Sequence, residues 1–133
     1  MRTVIAIVGV VLGLGLFWYV AQLVAAESGE VVVLTTHDAD GEAFDTRLWI
    51  VDREGYQWLR AGSDMAGWYT RLESNPEIEV ERSTGRDTYT ATPEPSLAPV
   101  INELMLEKYA WADRYIGFYF PRDDSVPVRL DER

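Results

Sequence analysis

The sequence predicts a mainly β (α+β) domain, a small antiparallel barrel with short helices, preceded by an N-terminal transmembrane helix. Three features carry that prediction. Short β-branched and aromatic runs recur between residues 30 and 92, separated by turn pairs such as Asp40-Gly41 and Glu54-Gly55. Glu77 to Arg82 alternates strictly, with Ile78 and Val80 between charged neighbours, the mark of a strand with one buried and one wet face. Thr3 to Ala26 contains no charge and is rich in Val, Ile, Leu and Gly.

That apolar run meets the roughly 20 residues needed to cross about 30 Å of hydrocarbon. Each central Leu, Ile or Val favours insertion by about 0.3–0.6 kcal/mol. A cleaved signal peptide is the rival reading. Its apolar region is normally only about 7–15 residues, although Ala25-Ala26 is small enough for a cleavage site. The length favours an uncleaved anchor. Arg2 precedes the run, Glu27 and Glu30 follow it, and no base recurs until Arg47. The positive-inside rule then puts the N-terminus in the cytoplasm and the domain on the periplasmic or extracytoplasmic side. The chain divides into an anchor, residues 1–26, and a barrel domain, residues 27–133.

Glu30 to Thr36 reads as a buried strand, because its core is a run of Val and Leu. His37 to Asp45 is a polar loop around Asp40-Gly41. Thr46 to Asp52 returns as a strand, and Asp52 to Gly55 makes a tight turn into Tyr56 to Ala61. Gly62 to Asn75 begins as a loop and becomes a short helix, with Ser63 or Asp64 expected to cap it. Asn75 precedes Pro76, so the helix is expected to stop at Ser74 or Asn75. Asp87 to Thr92 pairs with Glu77 to Arg82 across a corner at Gly85. Leu97, Val100, Ile101, Leu104 and Met105 have the spacing of an amphipathic helix, with Pro99 harmless in its first turn. A second helical piece is expected over Trp111 to Phe118, then a loop to Ser125 and a last strand through Val126, Val128 and Leu130.

The chain of 133 residues has a formal net charge of −10. All 22 acids lie after residue 26 and Arg2 is the only base before it, so the domain carries 11 − 22 = −11. Such a field repels phosphate backbones, which argues against nucleic acid as a partner. Cysteine is absent, and a single histidine excludes a multi-histidine zinc site within one chain. His37, Asp38, Asp40 and Glu42 fail the calcium-loop template because the glycine comes too early. No metal site is expected, and no catalytic residue can be named.

The order strand, Gly-containing loop, short helix with Trp68-Tyr69-x-x-Leu72, then Asn75-Pro76 and a new strand resembles the deazaflavin (F420)-dependent nitroreductase family. That family is part of the flavin-reductase-like split β-barrel group. Its block reads roughly Gly-Gly … Trp-Tyr-x-Asn-Leu-x-x-Asn-Pro. Gly62, Trp68, Tyr69, Leu72, Asn75 and Pro76 match, while Ser63 replaces the second Gly and Arg71 the Asn. The similarity covers Val31 to Leu130. Val126-Pro127-Val128 matches the family's closing strand, and Tyr115 and Arg122 fall where the family often has Tyr and Arg.

The resemblance implies a split barrel that binds F420 or FMN and passes hydride to a nitro or quinone-like substrate. It also implies a homodimer, since split barrels of this group often complete the cofactor pocket between two copies. The contacts it suggests are Gly62, Ser63, Trp68 and Arg71, with Arg47 and Arg60 as further cations. The ordinary alternative is that the aromatic residues close the barrel and the arginines pair with surface acids. One departure is marked. Where the family has a basic phosphate-holding loop, this chain reads Thr36-His37-Asp38-Ala39-Asp40-Gly41-Glu42-Ala43-Phe44. Unit charges about 4 Å apart interact by roughly 4 kcal/mol at an effective dielectric of 20, so these acids oppose a phosphate. The competing expectation is therefore a cofactor-less split-barrel binding module tethered to the membrane. Tyr115, Phe118, Tyr119 and Phe120 form an aromatic cluster suited to the core or to the roof of a pocket.

Overall fold

The structure, a computed structural model, describes residues 1–27 and 29–133. Helix α1 (Arg2–Ala26) is apolar on every side, with a mean hydropathy of 2.5 over its most apolar window and none of that window buried. It is long and apolar enough to cross a membrane. Its second half meets the domain, with the Trp18 ring against Tyr119 and Ala25 fully buried.

Among the described residues, strands β1 (Val31–His37), β2 (Ala43–Arg53), β3 (Tyr56–Ala61), β4 (Glu77–Arg82), β5 (Gly85–Pro93) and β6 (Val126–Glu132) form a closed antiparallel barrel. The order around it is β1-β2-β3-β6-β5-β4, and β4 closes back on β1. This is the small antiparallel barrel that the turn pairs and alternation predict. The second strand begins at Ala43 rather than Thr46, because its ladder with β1 continues to the pair His37 and Ala43. At the next hairpin both Glu54 and Gly55 have positive φ, 52° and 83°. Such a turn matches the right-handed strand twist.

Inward positions follow the period of two: Val32 and Leu34, Leu59 and Ala61, Ile78 and Val80, Tyr89 and Ala91, and Val126, Val128 and Leu130 fill the barrel. Helix α2 (Gly67–Ser74) adds Trp68, Tyr69 and Leu72 to the same cluster, so it packs into the barrel interior. The helix ends at Ser74 with Asn75 extended, as the following proline requires. Its start differs from expectation. Ala66 is the cap residue and no side chain caps the helix; the Ser63 hydroxyl instead accepts the Met65 N–H at 3.2 Å within the preceding loop.

A 3₁₀ turn at Pro95–Leu97 leads into helix α3 (Ala98–Tyr109), which lies on the outside of the barrel. Ile101, Met105 and Tyr109 recur every four residues and pack on Val51 and Trp58. The Tyr109 ring stacks on Trp49 at 4.2 Å between centroids and 7° between planes. Its buried hydroxyl accepts the Ile50 N–H at 3.0 Å and donates to the Glu30 carbonyl at 2.5 Å. Ala110, at φ 47°, breaks the helix and starts helix α4 (Trp111–Tyr119).

Glu30, just before β1, ties β4 to α3. Its carboxylate accepts from Arg82 of β4 at 2.8 and 2.9 Å and from Lys108 of α3 at 2.6 Å. The Arg82 hydrogen bonds, and then those of Lys108, hold its carboxyl at about 2, below the ordinary 4.5. A depressed carboxyl stabilises the fold fully above its unfolded value and ceases to do so as pH falls through the folded one. Thermal unfolding followed between pH 5 and pH 2, a range of about three units around these values, is expected to show a steeper acid loss for the native chain than for Glu30→Gln. Tyr109→Phe leaves the buried Ile50 N–H unpaired and is expected to cost about 1–3 kcal/mol in denaturant unfolding.

A candidate anion site lined by arginines

The side of the barrel under α3 and α4 carries a cavity of about 180 Å³ lined by Arg47, Leu48, Trp49, Arg60, Met105, Ile116 and Arg122. Strand alternation delivers Arg60 here. Leu59 and Ala61 point into the barrel, so Trp58 and Arg60 point out, toward the helices. The Arg60 side chain is only 5 % exposed. It donates to Asp113 of α4 at 2.6 Å and to the Asn102 side chain of α3 at 3.3 Å. Arg122 donates to the same Asp113 oxygen at 3.0 Å.

One buried carboxylate thus serves two guanidinium groups, and the cluster keeps one positive charge. The Arg122 Nε is buried and has no hydrogen-bond partner among the described residues. Burial, and then the neighbouring Arg60, pull the Arg122 guanidinium below its ordinary pKa despite Asp113. An excess, partly buried cation with an unmet buried donor is chemically suited to an anion. Leu48, Trp49, Met105 and Ile116 supply apolar wall beside it. Arg47 borders the cavity but is paired with Glu27, the residue that caps α1, at 2.5 and 2.8 Å.

The expected site residues fall into two places. Arg47 and Arg60 meet on this cavity. Gly62 and Ser63 lie in the β3–α2 connection and Trp68 and Arg71 in α2, and none of them lines it. Gly62 faces open space, and Trp68 is 6 % exposed within the barrel cluster. The Arg71 Nε donates to Thr36 at 2.8 Å, and its guanidinium lies 4.4 Å from the centre of the Phe44 ring. Arg71 therefore braces the two ends of the β1–β2 hairpin against α2.

The acidic hairpin loop has a structural use. One Asp38 carboxylate oxygen accepts the backbone N–H groups of both Asp40 and Glu42 at 2.9 Å. Backbone donors that a loop can offer to an external anion are here taken by the loop's own carboxylate.

Asp113, Asn102 and the shared use of Arg122 were not legible from the sequence. A buried Asp in the first turn of α4 looks like an ordinary N-terminal acid, which the helix dipole favours. The aromatic cluster also differs from a core role. Phe118, Tyr119 and Phe120 are 82 %, 43 % and 56 % exposed, because α4 turns Ala112 and Asp113 inward instead. Among the described residues no group of three or more His, Asp or Glu residues comes together.

No protein-family model and no curated protein matches the chain. Solved structures do match its fold. A conserved hypothetical protein of Mycobacterium tuberculosis aligns with a TM-score of 0.59 and 16 % identity, over 84 % of this chain and 78 % of that one. An F420-H2 dependent reductase aligns with a TM-score of 0.58 and 23 % identity, over 74 % and 92 %. HutZ of Vibrio cholerae, described as a heme storage protein, aligns with a TM-score of 0.57 and 19 % identity, over 82 % and 85 %. The chain has the split-barrel fold that these proteins share.

The charge arithmetic of the cavity makes a prediction. Asp113→Asn leaves Arg60 and Arg122 facing each other without compensation and is expected to destabilise the full chain by about 3–5 kcal/mol. Arg122→Met leaves the Arg60–Asp113 pair intact and is expected to cost clearly less in the same urea titration.

Proposed function

We propose that the protein is a membrane-anchored oxidoreductase of the deazaflavin- or flavin-dependent type, similar to F420-dependent nitroreductases, acting on a nitro or quinone-like substrate. The observation that carries this reading is the cavity in which Arg60 and the incompletely paired Arg122 stand beside apolar wall. The split-barrel fold, found also in an F420-H2 dependent reductase, supports it.

The donor set fits an anionic, ring-bearing cofactor. Arg60 and Arg122 would hold its acidic group, and Leu48, Trp49, Met105 and Ile116 would exclude water from its apolar part. When bound, reduced F420 or FMN supplies the hydride. Asp113 fixes both guanidinium groups, so their donors are oriented before a ligand arrives. Pockets that enclose small molecules measure about 300–1,000 Å³. A cavity of about 180 Å³ covers only part of such a cofactor, and in this reading a second copy of the chain covers the rest. Gly62, Ser63, Trp68 and Arg71 then act by setting the corner that follows Arg60.

A second reading, a cofactor-less binding module tethered to the membrane, is favoured by one observation. Asp38 already occupies the loop donors that a phosphate would need.

Fluorescence titration of the full chain in lipid nanodiscs with FMN and with F420 separates the two. The reductase reading expects saturable binding that Arg122→Met weakens by at least about tenfold, as loss of a charged hydrogen bond worth about 1.5–3 kcal/mol requires. A folded chain that binds neither cofactor would leave the binding-module reading.

A further inference from the structure

We propose that the C-terminal end of α4, Phe118 to Phe120, enters the same bilayer as α1 and gives the domain a second membrane contact. The proposal rests on α1 spanning a bilayer. Its own support is the contact between the two helices. The Trp18 ring of α1 meets the Tyr119 ring of α4 edge-on at 5.6 Å between centroids. Phe118 and Tyr115 gather on Tyr119 at 5.2 and 5.5 Å.

The length of α1 decides the depth of that contact. From Thr3 to Phe17 there are 15 residues. They span only about 22 Å at 1.5 Å per residue, and less if the helix tilts. The hydrocarbon layer is about 30 Å thick. A spanning α1 must therefore bring Trp18 and roughly the next four residues below the hydrocarbon boundary. Tyr119, packed against Trp18, goes with it.

The sequence around Tyr119 suits that depth. Ile116 to Pro121 carries no charge. Phe118 is 82 % exposed and Phe120 56 %, an apolar face with no protein over it among the described residues. Aromatic rings favour the boundary between headgroups and chains. The net charge of −11 on residues 27–133 opposes attraction to anionic lipid, so the contact is apolar in origin and suits a zwitterionic bilayer.

The chain has no native cysteine, so single-cysteine spin labels report one position each. Phe118→Cys, Leu12→Cys and Glu54→Cys would be labelled in the full chain and reconstituted in phosphatidylcholine vesicles. Collision with oxygen and with a water-soluble nickel chelate then reads immersion. The label at 118 is expected to lose nickel contact and gain oxygen contact, as at 12, while 54 stays open to nickel. Free access of nickel at 118, with 12 immersed, overturns the second contact but leaves the anchor. Shielding of 118 from both reagents also overturns it and points to a second copy over the aromatic face. A label at 12 in water removes the anchor itself.

Discussion

The hydroxyl of Tyr109 is the contact on which the outer half of this molecule depends. The barrel closes by its own ladders, but the helices have no ladder to join. Tyr109 ties the last turn of α3 to the backbone of Glu30, just before β1, and of Ile50 in β2, while its ring lies flat on Trp49. The next residue, Ala110, takes a positive φ and redirects the chain into α4. A phenol is suited to this work, because it buries a large apolar face and still presents one donor and one acceptor at a fixed distance. Where α3 ends therefore decides where α4 begins, and so where Asp113 stands.

From that placement follows the electrostatics of the cavity. Arg60 is nearly buried, and alone it would be expensive to desolvate. Asp113 compensates it, and Asn102 takes a further donor. Arg122 then arrives at a carboxylate that is already engaged. A purely structural cluster would be more stable as one pair than as two cations on one anion. The surplus cation is what separates this cavity from the other ion pairs of the molecule, such as Arg86 with Glu79 or Arg133 with Glu77, which are exposed and contribute little.

Much of the fold was legible because it follows short-range rules. Alternation in Glu77–Arg82, the turn residues at Glu54-Gly55 and the proline after Asn75 each act within a few residues, and each element formed where those rules put it. The apolar run of α1 was legible by length alone. The site was legible only in part. Arg60 could be read as a cation on a strand, but not as one half of a buried pair, since Asp113 lies 53 residues away in sequence. The partners of Arg71 and Asp38 were not legible either. By sequence Arg71 is a candidate cofactor contact and Asp38 an acid opposed to phosphate; the structure gives them internal partners, Thr36 and Phe44 in one case and backbone amides in the other. Nothing in composition distinguishes a charge that awaits a ligand from one that already has an internal partner.

The placement of the cavity relative to the anchor bears on how a ligand would reach it. Glu27, which caps α1, pairs with Arg47, which lines the cavity; Ile116 of α4 lines it too, two residues before Phe118. The cavity is thus joined to α1 on one side and to the aromatic end of α4 on the other. The rest of the domain surface is acidic, and at physiological salt a charge is felt over only about 8 Å. An anion in bulk water meets the acidic surface before it senses Arg60 and Arg122. If α1 anchors the domain in a bilayer as proposed, a ligand or substrate dissolved there meets the apolar end of the domain first. In the proposed reading, the same arrangement that holds the domain down also selects for lipophilic substrates, and a quinone-like acceptor fits that selection better than a small polar one.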